Sequence, residues 1–271
     1  MRRKFDTPSA SRIHIRLSGT PRRFHRTGTF LAFLLVFQLD TGFPEIPFYN
    51  EAMGIFSETL PHAVALVAAI GAFATLYRNA RAADWPRLTA PGAFSAWCCA
   101  IILLPMVWRF GVPLSGGPVL HMVGLPIFVL MFGRRLAMTG AALSVMIYTL
   151  AFDGVWVNIG LNLLLLAILP AYCGEALMRA TERFLPRHMF VYLLGNGFFG
   201  AMAMLALLNM LSLGVYYATM TTAPIAADVL AYMLLLSWGE SFLTGLLLTI
   251  FTVYRPEWVL TFDDNVYLRG K

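Results

Sequence analysis

The feature that most constrains this chain is a succession of long apolar runs almost free of charge. Residues 92–108, 156–178 and 226–253 are the clearest of them. A helix needs roughly 20 apolar residues to cross a ~30 Å hydrocarbon core. These runs meet that requirement, and others in the chain approach it. The composition agrees, because 59% of residues are apolar and 13% charged, against about 25% charged in an ordinary soluble domain. The expected fold class is all-α, a polytopic integral membrane protein with about seven to eight transmembrane helices.

Eight apolar segments are read: 27–39, 60–77, 92–110, 118–132, 135–152, 155–178, 189–213 and 226–253. The first and fourth are short for a full span, which suits a tilted, interfacial or re-entrant segment. No A-x-A-like cleavage site follows Leu39, so the first is read as a retained helix rather than a signal peptide. The resulting organisation is a basic cytoplasmic leader at 1–26, a helical membrane domain at 27–254, and a cytoplasmic C-terminal tail at 255–271.

Charge supplies the orientation. Residues 1–28 hold eight Lys/Arg against Asp6 alone. A basic block before an apolar run favours retention on the cytoplasmic side. Contact of this leader with anionic lipid head groups is expected, and nothing else in the chain points to nucleic acid. The stretch 40–58 carries Asp40, Glu45, Glu51 and Glu58 with no basic residue. The next connection carries Arg78, Arg81 and Arg87, and later ones carry Arg134 with Arg135, then Arg179, Arg183 and Arg187. Segments 111–117, 153–154 and 214–225 between them lack Lys and Arg. The positive-inside rule then puts both termini in the cytoplasm, with Arg109 at an outer helix end as an exception.

Small residues recur at helix-packing spacing, in Ala65/Ala69, Ala68/Ala72 and the cluster Gly195, Gly197 and Gly200. Such positions let backbones approach closely, either within the bundle or against another membrane subunit. Cys98, Cys99 and Cys173 lie in apolar runs and form no C-x-x-C pair, so buried small hydrophobes are expected rather than a disulfide or zinc framework.

Polar groups at membrane depth are costly and are the natural functional candidates. His121 follows a Gly/Ser-rich loop, and His62 follows Pro61 at the start of the second segment. Asn158 and Asn162 are four apart and share a helical face. All four fall on the outer side. A neutral imidazole suits nickel, cobalt, zinc or copper, and amide oxygens can complete a polar pocket. A hydrogen-bonded structural histidine is the alternative. Glu240, with Thr244 one turn on, sits near the middle of the last run and must be protonated or paired there. Contact with a partner helix, cation binding and a tie between helices all remain open for it. Glu175 beside Arg179 reads as an interfacial ion pair. The chain has no G-x-x-x-x-G-K-[ST] phosphate loop and no H-E-x-x-H pattern. Ser115 with His121 is the sole nucleophile–base candidate, and no enzyme activity is expected.

From about residue 111 onward the sequence resembles the substrate-capture membrane subunits of energy-coupling-factor transporters for cobalt and nickel, the CbiM/NikM type. The stretches that carry the resemblance are the loop into His121, Phe132-Gly133-Arg134-Arg135-Leu136-Ala137 as a tight inner turn, and Gly154-Val-Trp-Val-Asn-Ile-Gly-Leu-Asn162. Glu240-Ser-Phe-Leu-Thr244 is similar to the E-x-x-x-T of the family's last helix. Leu194-Gly-Asn-Gly-Phe-Phe-Gly-Ala201 and Val253-Tyr-Arg-Pro-Glu-Trp-Val-Leu-Thr-Phe-Asp-Asp264 look like signatures of a proteobacterial branch. The resemblance implies an inner-membrane subunit that captures a divalent metal, cobalt or nickel, as substrate, with no tightly bound cofactor. Energy would come from a separate transmembrane coupling subunit and cytoplasmic ATPase subunits. His121 matches the family's second metal-binding histidine. The metal subunits usually begin Met-His, whereas this chain begins Met1-Arg2. That terminal ligand set is therefore not expected here, which leaves His62 as the second ligand by side and chemistry. A same-fold transporter for an organic micronutrient and a membrane scaffold without substrate are the rival readings.

Overall fold

The computed structural model describes residues 60–109, 111–113, 119–152, 154–219, 227–263 and 267. The expected leader, the segment 27–39 and Ser115 lie outside these residues. In chain order come α1 (His62–Ala82), α2 (Ala93–Arg109), a small antiparallel hairpin of β1 (Gly111–Pro113) and β2 (Val119–His121), and α3 (Leu125–Ala151). Then follow α4 (Trp156–Phe184), α5 (Val191–Ala218) and α6 (Ala227–Tyr254). Among the described residues five helices are long and apolar enough to cross a membrane, and α2 is a shorter apolar one. Among the described residues the architecture is polytopic and helical, with fewer long apolar helices than the seven to eight expected.

Segment 27–39 lies outside the described residues and α2 is short; the remaining difference lies in the fourth segment. It is no long helix of its own but the first part of α3, divided from the rest at Gly133, whose φ of 73° and ψ of 168° are essentially reserved to glycine. The chain reverses there. A Cβ on Gly140 would lie 2.5 Å from the Phe128 ring, whereas an unbroken helix would hold those residues about 18 Å apart. Partners along α2 give the same direction. Trp97 Nε1 donates to the Leu136 carbonyl at 3.1 Å, Ser144 Oγ donates to the Ile101 carbonyl at 3.0 Å, and the Trp108 and Tyr148 rings are 6.3 Å apart. Residues 134–151 thus run parallel to α2. Trp108 Nε1 also donates to the Val123 carbonyl at 2.8 Å, and a Cβ on Gly124 would meet Leu104 at 2.7 Å. Residues 123–132 therefore run back along the same helix in the opposite sense. The helical part, 125–132, is only ~12 Å long, so extended chain completes the passage. This is the tight turn expected at Phe132–Ala137.

Residues α3 and α4 form the centre, each with 67% of its apolar window buried, while α1 has 22% and lies at the edge. Gly160 of α4 sits where a Cβ would run into the backbone of Ala68 and Ala69. The small residues of α1 thus serve packing within the bundle. Gly197 plays the same part between α5 and α6, where its Cβ would be 2.9 Å from Leu248 and 3.4 Å from Gly245. Pro170 follows a wide-turn stretch, Leu164–Ile168, in α4. Such a turn accommodates a residue that has no N–H to donate. On α6 the buried face carries Ser237, Glu240, Ser241 and Thr244, and the exposed face carries Leu234, Leu235, Trp238 and Phe242. Polar groups inside and large apolar groups outside are what lipid, rather than water, requires.

At the inner turn Glu175 pairs with Arg179 at 3.0 Å, as expected, and also with Arg134 at 2.7 Å. Arg109, the exception to the charge rule, stacks on the Phe152 ring with its guanidinium carbon 4.9 Å from the centroid. The residues after α6 do not hang free. Leu260 N–H donates to the Met131 carbonyl at 2.6 Å, and Thr261 Oγ1 donates to the Leu130 carbonyl. Those two carbonyls belong to the last turn of helix 125–132, where the break removes their ordinary helical donors. Cys98, Cys99 and Cys173 are free thiols.

Candidate functional site

His121 ends β2 opposite Gly111 and is buried. Its ring Nδ1 lies 3.1 Å from the Met122 carbonyl oxygen. A carbonyl can only accept, so Nδ1 carries the hydrogen and Nε2 keeps its lone pair. Burial pushes the imidazole below its ordinary titration range, and the Met122 hydrogen bond opposes this in part. A neutral ring with one nitrogen tied to a backbone carbonyl is how proteins commonly orient a metal-binding histidine.

The residues after His121 are held from two sides. Val123 N–H donates to Glu240 Oε2 at 2.8 Å, and Gly124 N–H donates to Glu240 Oε1 at 2.6 Å. The Val123 carbonyl accepts from Trp108. Gly124 then turns the chain into the helix with φ of 68°, a left-handed value glycine adopts without strain. Of the three roles open to Glu240, the geometry gives the tie between helices. Thr244, one turn along α6, is buried on the same face.

Asn158 and Asn162 are both buried near the start of α4. Asn158 Oδ1 accepts the Leu60 N–H at 3.1 Å, which fastens the entry of α1 to α4. His62, two residues on, is exposed. The Trp108–Tyr148 contact, together with the short connection from α3 to α4, puts His121 and Asn158 at the same end of the bundle. Asn162 follows one helical turn deeper.

Two buried polar groups were not singled out from the sequence, and only the first bonds the loop after His121. Trp108 read as one more apolar residue, although an indole at a helix end beside a loop commonly finds an acceptor. Asn196 was noted only within its Gly-rich motif. It is buried, and its Oδ1 has no hydrogen-bond partner, beside a cavity of about 10 Å³ that Pro126, Gly174 and Met204 also line.

The sequence profile described as CbiM, cobalt uptake substrate-specific transmembrane region, matches residues 55–258. The chain belongs to this family. Two solved structures share the CbiM-type fold. The crystal structure of a transition metal transporter is 19% identical with a TM-score of 0.55, covering 74% of this chain and 93% of the other. A truncated transition metal transporter is 18% identical with a TM-score of 0.57, covering 74% and 99%. Among functionally curated proteins the search finds no match. The CbiM profile takes in His62, His121, Asn158, Asn162, Glu240 and Thr244, and stops at Trp258, just before the residues that cap helix 125–132.

Proposed function

We propose that this CbiM-family chain captures a divalent transition-metal ion, cobalt or nickel, at the outer side of the cell inner membrane. Release inward would be driven by a separate coupling subunit and cytoplasmic ATPases. The observation that carries the reading is His121, a buried neutral imidazole whose Nδ1–H is committed to Met122 and whose Nε2 is left to bind. The family's role in cobalt uptake and the likeness in fold to transition metal transporters support it. His121 supplies the first ligand. His62, exposed at the same end beside the Leu60–Asn158 tie, supplies the second, with Asn158 and Asn162 as the polar wall. Both carboxylate oxygens of Glu240 already accept amides, so it serves as support. Both termini face the cytoplasm in this reading, and the side bearing Arg134, Arg179 and Arg183 is the inner one.

Equilibrium dialysis of the purified chain against nickel and cobalt tests it. Wild type should bind, His121→Ala should lose binding with its helical content unchanged, and His62→Ala should bind more weakly. His188→Ala should match wild type. Equal small uptake by wild type and His121→Ala would end the metal reading and leave only the fold.

A further inference from the structure

Glu240 lies far along the sequence from His121, yet it binds two of the three residues that follow it. We propose that Glu240 is a positioning residue that aims the His121 ring through the backbone of Val123 and Gly124; this rests on the metal reading above. Four consecutive polar groups are committed one after another. The Met122 carbonyl accepts the His121 ring N–H, the Val123 N–H goes to Glu240, the Val123 carbonyl accepts the Trp108 indole, and the Gly124 N–H returns to Glu240. The ring is therefore bonded to a carbonyl whose own peptide is fixed from α6, and the next peptide is fixed from both α6 and α2.

The arrangement also accounts for a carboxyl group buried at this depth. Among the described residues no Lys or Arg pairs with Glu240. Its partners are two backbone amides just ahead of a helix start, where the partial positive charge of the helix favours an anion. Glutamate is needed rather than an aliphatic residue because each amide takes a separate oxygen. Aspartate, one methylene shorter, does not span the same distance from the α6 backbone.

The test uses the full chain in lipid nanodiscs with histidine ring nitrogens labelled by ¹⁵N. Without metal, the wild-type His121 resonances, assigned by their loss in His121→Ala, should show a single Nδ1–H tautomer. Glu240→Ala should show averaging between tautomers and nickel affinity ~10–100-fold weaker, the range seen when outer partners of metal ligands are removed. Glu240→Gln keeps one acceptor oxygen and should fall between wild type and alanine; it carries the test where the alanine variant does not fold. Trp108→Phe should move the same resonances less than Glu240→Ala, because it releases the neighbouring Val123–Gly124 peptide from the other side. Glu257→Gln, at a solvent-side pair with Arg255, should leave both readouts unchanged. If folded Glu240→Gln or Glu240→Ala retains the wild-type tautomer and affinity, the proposal is overturned. If wild type binds no metal at all, the functional reading falls, and the tautomer spectra alone decide whether Glu240 aims the ring.

Discussion

The short helix 125–132 is held at its two ends by different means. At the end near His121 a side chain does the work, with Glu240 taking the amides of Val123 and Gly124 and Trp108 taking the Val123 carbonyl. At the other end the backbone and Thr261 of the post-α6 segment cap the Leu130 and Met131 carbonyls, and Tyr192 hydroxyl contacts Thr261 Oγ1 at 2.7 Å. Both sets of partners come from α6 and its continuation, apart from Trp108 and Tyr192. The two ends still differ in what their loss would do. Carbonyl caps at a chain reversal secure the fold, whereas the carboxylate secures a loop that bears a candidate ligand. Changes at the His121 end should therefore lower both stability and metal affinity, whereas changes at the other end should lower stability alone.

That separation can be broken experimentally, and the largest effect is expected from Glu240→Ala. It strands the buried Val123 amide at ~1–3 kcal/mol and the half-buried Gly124 amide at less, so unfolding in detergent should come at clearly lower temperature and metal affinity should fall with it. Reactivity of the partly buried Cys98 and Cys173 thiols during heating would report the unfolding. Gly133→Ala comes next, at ~1–3 kcal/mol, because it forces a side chain into a glycine-only backbone region. The affinity of the protein that remains folded should change little. Thr261→Val removes one capping hydroxyl for roughly 1 kcal/mol with the His121 tautomer unchanged. A tautomer change there would mean that the two ends act as one. The smallest stability effect belongs to Arg179→Ala, whose exposed i,i+4 pair with Glu175 is worth about 0.3–0.5 kcal/mol. Arg134, on the same carboxylate but largely buried, should cost more when truncated.

Acid sharpens the same contrast. Burial lowers the His121 pKa, so the folded loop prefers the neutral ring and an unfolded loop takes up a proton first. Stability from this group is full above the ordinary histidine range and declines as pH falls through and below it. Metal should be lost in the same direction, since a protonated ring has no lone pair. It should persist to lower pH than an exposed imidazole allows. In Glu240→Gln the loss should move back up towards the ordinary range if the loop loosens and the ring meets water. Nickel binding measured as a pH series on both proteins checks this.

The polytopic helical class was legible because apolar run length and low charge leave little else for these residues to do in lipid. Loop charge gave an alternation that the reversal at Gly133 respects, with Arg134 and Arg135 at the turn and His121 at the other end. The cost of polar groups at membrane depth singled out His121, Asn158, Asn162 and Glu240, which prove to be buried, and His62, which is exposed. Sequence periodicity treated 118–132 as a candidate span, since an apolar segment reads alike whether it crosses as one helix or as a two-turn helix completed by extended chain. It also left Glu240 with three roles and Trp108 with none. Those depended on which atoms meet after the chain reverses: a single glycine dihedral sets residues 123–132 against α2, and only then do Glu240 and Trp108 find the same peptide. Hydrophobicity is summed along a segment and survives in one dimension. A hydrogen bond between residues more than a hundred positions apart is a matter of a few ångströms, and only the packed bundle decides it.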